Sequence, residues 1–141
     1  METDLELILL GTGNAMVTKC YNTCFALRKD EDYLLVDAGG GNGIFVQLKT
    51  AGISIERIHH LILTHAHSDH ILGVVWLVRE VASMMLAGRY EGDFHIYCHD
   101  EAKEALLTIC RVTLAGKFMK CIGERILVHT VADAQCVEIL E

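Results

Sequence analysis

The chain has 141 residues, of which 52% are apolar and 22% charged, enough for one domain with a buried core. Nineteen acidic against twelve basic side chains give a formal charge of −7. That balance opposes non-specific binding to polyanions, because nucleic-acid affinity comes largely from lysine and arginine neutralising phosphates. The four cations Arg111, Lys117, Lys120 and Arg125, interrupted by Glu124, read as a solvated face rather than a phosphate track.

Residues 5–10 are apolar except Glu6 and predict a buried strand. Residues 22–28 and 33–36 predict a hairpin around the charged turn Lys29-Asp30-Glu31-Asp32. The glycine-rich run 39–43 precedes a helix over 44–50 that ends at Ala51-Gly52. It lacks the Lys-Ser/Thr of a phosphate-binding P-loop, so close approach of its backbone to a neighbouring loop is the better account. A strand over 58–64 is followed by a polar loop and a long buried helix near 70–88. Residues 94–98 predict a strand and 101–114 a helix, while 115–124 carry no clear pattern. Two further strands are expected at 125–129 and 136–140. Strands alternating with helices argue for an α/β layered fold, and no proline-rich or low-complexity linker divides the chain. The apolar stretch 71–87 is broken by Arg79 and Glu80, short of the roughly 18 uncharged residues of a membrane span. Acidic Glu2 and Asp4 stand where a secretory leader carries bases. A cytoplasmic protein without membrane contact is expected. The six cysteines form no Cys-x-x-Cys pair and are expected as free, mostly buried thiols.

The chemistry concentrates in His65-Ala66-His67-Ser68-Asp69-His70, directly after the apolar run Leu61-Ile62-Leu63-Thr64. Imidazole nitrogen and carboxylate oxygen are the donors that zinc, iron and manganese take from proteins. In extended backbone, side chains at i and i+2 point the same way, so His65 and His67 can converge on one ion. Asp69 and His70 follow where the chain turns into a helix and can reach a second ion. A helix N-cap needs one short polar side chain, such as Ser68 or Asp69, and accounts for none of the three histidines. Ser68 lacks a nucleophile-elbow context, which disfavours a Ser/His/Asp mechanism.

These six residues resemble the H-x-H-x-D-H signature of the metallo-β-lactamase superfamily of metal-dependent hydrolases. The segment Leu9-Leu10-Gly11-Thr12-Gly13-Asn14-Ala15, the strand Asn22-Thr23-Cys24-Phe25-Ala26-Leu27 and the strand ending Asp37-Ala38-Gly39 agree in order, and are most similar to the ribonuclease Z-like branch. The resemblance implies an αββα layered sandwich, of which residues 1–141 would be a single domain forming the N-terminal half. It implies two divalent ions, zinc in first place with iron or manganese accepted by the same donors. His65 and His67 would hold one ion, and Asp69 and His70 the other. Asp69 would also accept a proton during catalysis, and Asp37 would orient a ligand from behind. A small phosphodiester or RNA is the implied substrate. Thioester or lactone hydrolysis and iron-based redox chemistry are alternatives within the superfamily.

The superfamily completes its sites with a further His, a bridging Asp and a last His from the second half of its fold. His95, His99 and His129 match none of those contexts and read as ordinary surface or half-buried histidines. A non-catalytic metal-binding fragment or interaction module is therefore a third expectation. Pairing of two chains into a homodimer would cover an otherwise exposed half-fold.

Overall fold

Strand β1 (Leu5–Gly11) pairs antiparallel with β2 (Cys24–Lys29), which turns through Asp30 and Glu31 into antiparallel β3 (Asp32–Val36). Asp30 takes the left-handed conformation, φ 53°, that a short polar residue tolerates in so tight a turn. From β3 onward the chain adds parallel strands through helical crossovers: α1 (Gly43–Thr50), β4 (Ile58–Ile62), α2 (Ser68–Leu86), β5 (Phe94–Cys98), α3 (Asp100–Thr113), the short α4 (Gly116–Met119) and β6 (Ile126–Thr130). The computed structural model describes residues 4–140. Its six strands lie in one sheet in chain order, β1 to β6.

That order fixes where the core sits. Parallel crossovers are right-handed, and each new strand joins the same side of the one before, so the helices collect on one face of the sheet. The register confirms it. Ile8, Ala26, Leu35, Leu61, Ile96 and Val128 form one row across all six strands, and the four central members of this row are fully buried. Helix α2 packs Ile71, Val74, Val78 and Val81 onto the same core. Complete burial of one such side chain is worth about 1.5–3 kcal/mol.

The neighbouring row, Leu7, Leu27, Leu34, His60, His95 and Leu127, points to the other face. Along that face Leu5, Leu7 and Leu9 are exposed large apolar side chains. At the β4–β5 side, residues of the final stretch lie against it. Val131, Gln135, Val137 and Ile139 line a cavity of about 330 Å³ with Ile62 and Tyr97.

The expected strand at 136–140 does not form. Exposed Val137 and half-buried Ile139 line the cavity with Ile62 and Tyr97 without joining a backbone ladder. The expected strand at 58–64 is shorter, ending at Ile62, because Thr64 leaves the ladder to bond a side chain. The unpatterned 115–124 segment holds α4, whose Phe118 is buried against the core. No disulfide links the cysteines: Cys24, Cys98, Cys110 and Cys121 are buried, and Cys20 and Cys136 exposed. Among the described residues, no helix is long and apolar enough to cross a membrane.

Candidate metal centre

The polar corner lies beyond the carboxyl ends of β3 and β4, the position where open α/β sheets place their ligands. Asp37, the residue after β3, is the one buried charged side chain among the described residues. It adopts a left-handed backbone, φ 57°. Three donors converge on its carboxylate. The Thr64 backbone N–H donates to Oδ1 at 2.8 Å, and the Thr64 hydroxyl to Oδ2 at 2.7 Å. His70 Nδ1 lies 2.8 Å from the same Oδ2.

These bonds fix two imidazole tautomers. A carboxylate can only accept, so His70 carries its proton on Nδ1 and leaves Nε2 with a free lone pair. The single proton of the Thr64 hydroxyl is committed to Asp37. Thr64 Oγ1 must therefore accept from His65 Nδ1, 2.8 Å away, which frees His65 Nε2 as well. One buried carboxylate thus orients two histidines, His70 directly and His65 through Thr64. Such support from behind is what metal-ligating histidines receive.

Ligand atoms of Asp37, His65 and His70 lie within 4.8 Å of one another. Asp37 already accepts three hydrogen bonds and is the support of this group rather than its open side. On the open side, the His65 ring centroid is 4.1 Å from that of His70 and 4.6 Å from that of His67. Asp69 Oδ2 is 3.3 Å from His70 Nε2. The structure therefore gathers His65, His67, Asp69 and His70 at one corner with Asp37 behind. His67 occupies the N-cap position of α2 and makes no side-chain capping bond, and neither Ser68 nor Asp69 serves as a cap.

Backbone contacts hold the corner in place. Gly73 of α2 donates its N–H to the Gly39 carbonyl at 2.8 Å, and a Cβ at Gly73 would stand 1.9 Å from the Ala38 carbonyl oxygen. Only glycine lets the helix approach the Asp37 loop so closely. Asn22 clamps two loops, accepting from the Gly40 N–H and donating to the Asn14 carbonyl, each at 3.0 Å. The Tyr21 hydroxyl lies 2.7 Å from the Ala38 carbonyl oxygen, and burial pushes its pKa up to about 12. Cys24 is pushed up to about 12 by burial and by the charge of Asp37, so it remains a thiol and no nucleophile.

Sequence reasoning placed the four open-side residues and Asp37, and expected the glycine run near the metal loop, where Gly40 indeed abuts Asp69. It missed Thr64, Tyr21, Asn22 and Gly73 as parts of the corner. A hydroxyl residue immediately before the first histidine was the one signal available for Thr64.

The family model described as "Anti-Pycsar protein Apyc1" matches residues 5–133. Ribonuclease Z of Thermococcus onnurineus is 37% identical over 94 residues, 66% of this chain and 28% of that protein. Ribonuclease Z of Methanococcus aeolicus is 28% identical over 138 residues, 97% of this chain and 39% of that protein. The chain thus spans well under half the length of these curated relatives. The human short-form tRNase Z structure superimposes with a TM-score of 0.69 at 21% identity, covering 92% of this chain and 46% of that one. A diphosphatase of the PhnP family gives 0.74 at 19% identity, covering 96% and 54%. The metallo-β-lactamase fold expected from the signature is therefore present. The chain belongs to the family described as anti-Pycsar protein Apyc1, and is a ribonuclease Z-like member of the metallo-β-lactamase superfamily.

Proposed function

We propose that His65, His67, Asp69 and His70 bind divalent metal, with zinc the expected ion, as part of a hydrolase acting on phosphodiesters. The observation that carries this reading is the Asp37–Thr64–His65 and Asp37–His70 hydrogen bonding, which leaves two Nε2 lone pairs at one corner. A structural use of these histidines would not require both rings to be held in the metal-accepting tautomer. The donor set of imidazoles and one carboxylate suits zinc, iron or manganese.

A divalent ion there would supply Lewis acidity, lowering the pKa of water towards about 7 and stabilising charge on the attacked group. The residues of the chain do the rest. His65 and His67 would share one ion and Asp69 and His70 its neighbour, while Asp37 keeps both supported rings from turning. Asp69, partly exposed at the mouth, is placed to accept a proton from an attacking water. The amino terminus of the 19-residue α2 begins at this corner. Its first N–H groups and positive dipole end favour an anionic substrate.

The ribonuclease names of the curated relatives support phosphodiester chemistry. The −7 charge favours a small phosphodiester over a long RNA on the surface of this chain alone. Metal titration of the 141-residue chain should show cation binding that His67→Ala weakens at least tenfold. Hydrolysis of bis-nitrophenyl phosphate, if present, should be lost in the same variant. Turnover and metal affinity both unchanged in His67→Ala would remove the proposal.

A metal-binding module without turnover of its own is the second reading. Among the described residues the ligand atoms that converge within 4.8 Å are those of Asp37, His65 and His70, which favours it, because a two-ion hydrolytic site needs more open ligands than these. Metal binding with no hydrolysis in the wild-type chain would select this reading.

A further inference from the structure

Helix α2 turns Ile71, Val74, Val78 and Val81 to the core and leaves a second stripe on its outer side. Leu72, Trp76, Arg79, Ser83 and Leu86 follow one another at steps of four and three residues, the spacing of a helix-pairing seam. Trp76 is 41% exposed and Leu86 56%, while Leu72 and Ser83 are half-buried. Beside the N-terminal end of the stripe, Leu72, Val75 and Trp76 line a cavity of about 270 Å³ with Ile109 and Leu114 from the end of α3. Arg79 lies over the Phe118 ring at 5.0 Å and, among the described residues, has no acidic partner.

We propose that this stripe is where a second copy of the chain docks, α2 against α2 in antiparallel register about a twofold axis at Arg79. The stripe is complementary to itself in that register. A twofold contact is isologous, so each residue meets the one that mirrors it about the axis. Leu72 then faces Leu86 of the second copy, and Trp76 faces its Ser83, a large side chain against a small one. The cavity beside Leu72 receives that exposed Leu86. Its volume is below the roughly 300–1,000 Å³ of pockets that enclose small molecules, and suits a single side chain. Arg79 is drawn aside over Phe118, which clears the axis, and Glu80 of the second copy stands next in register to it.

A lone exposed apolar side chain is ordinary on a protein surface. Seam spacing, a hole beside the seam and a tryptophan, a residue type enriched at interface centres, make a different case together. Length also suffices. The 19 residues of α2 run about 28 Å. Paired along that length, with flanking contacts from α3, two copies have room to bury about 1,000 Å² in total, the lower bound of a specific interface. Association in the micromolar range, rather than obligate pairing, follows. Asp69 is about ten residues from the axis on each α2, which sets the two metal corners about 30 Å apart. The inference is therefore independent of the proposed hydrolase.

Sedimentation of the full 141-residue chain from about 1 to 300 µM tests it. A mass rising from 15.7 kDa toward twice that value is expected. Trp76 is the only tryptophan of the sequence, so its emission should shift to the blue along the same isotherm. Trp76→Glu and Leu86→Glu should each weaken association at least tenfold, with metal titration at the histidine corner unchanged. Ser83→Trp, which fills the space opposite Trp76, should weaken it as well. Circular dichroism checks that the variants fold. If Trp76→Glu does not, Leu86→Gln at the end of α2 reads the same contact. A folded wild-type chain that stays monomeric at the highest concentration overturns the proposal. Self-association that survives both Trp76→Glu and Leu86→Glu, and is lost instead in Leu7→Glu on the sheet face, overturns it equally.

Discussion

Asp37 shows how much one buried carboxylate can organise. It supports two imidazoles, and its left-handed backbone is a conformation that asparagine also tolerates. Asp37→Asn therefore changes the chemistry while sparing the turn. The amide offers N–H donors where His70 and Thr64 now find an acceptor. His70 should switch its proton to Nε2, the atom that must stay bare to hold a metal. Metal affinity is expected to fall about 10- to 100-fold, the usual cost of losing such a partner. Stability should fall by about 1–2 kcal/mol as charge-assisted bonds are lost. Titration calorimetry and histidine nitrogen NMR check both. An unaltered His70 tautomer with unaltered affinity would show that Asp37 does not set the site.

At the scale of elements, the contact between α2 and the Asp37 loop is the joint on which the corner depends. Helix propensity alone says that Gly73→Ala should stabilise α2 by about 1 kcal/mol. The added Cβ would meet the Ala38 carbonyl oxygen at 1.9 Å, and a backbone oxygen cannot swing aside as a side chain would. Net destabilisation of about 1–3 kcal/mol is expected from this overpacking. Chemical denaturation measures it, and a stabilised variant would mean the loop yields freely.

The same joint marks what the sequence could and could not disclose. All six strands and α1–α3 were legible from their apolar runs and the turn residues between them. The histidine corner was legible because no packing rule explains three histidines in six positions. Thr64 and Gly73 were not, since their roles come from atoms 27 and 34 residues away in the chain that only tertiary structure brings near. The strand expected at 136–140 failed for the complementary reason. Alternation at Val137 and Ile139 suggests a buried side, but Val137 stays exposed and Ile139 half-buried beside the cavity they line, so no packing fixes a strand register there.

For the whole molecule, the sheet face away from the helices carries a pH dependence. Burial lowers the pKa of His60, with His95, His59 and His129 adding to the effect and Asp32 opposing it. His129 is lowered by burial, then by His95 and Lys103. A histidine held below its unfolded value of about 6.5 takes up its proton later in the folded state than in the unfolded chain. As pH falls below about 6.5 the unfolded state binds more protons, so folding stability should decline through the window down to the lowered folded values. Above that window these groups contribute no slope. Denaturation midpoints measured from pH 7.5 to 5 should show the decline, and a His60→Gln/His129→Gln variant should show a shallower one. A wild-type profile flat across that range would contradict the assignment.

The β2–β3 turn has a practical corollary. β3 runs from Asp32 to Val36 and delivers Asp37 at its far end, so Asp30 and Glu31 occupy the pole of the molecule remote from the histidine corner. Both are exposed, and among the described residues the Glu31–Arg57 ion pair is the one side-chain tie at these two positions. A reporter peptide grafted between Asp30 and Glu31 would ride on the molecule without touching the histidine corner, giving a handle for immobilising it with that corner facing outward.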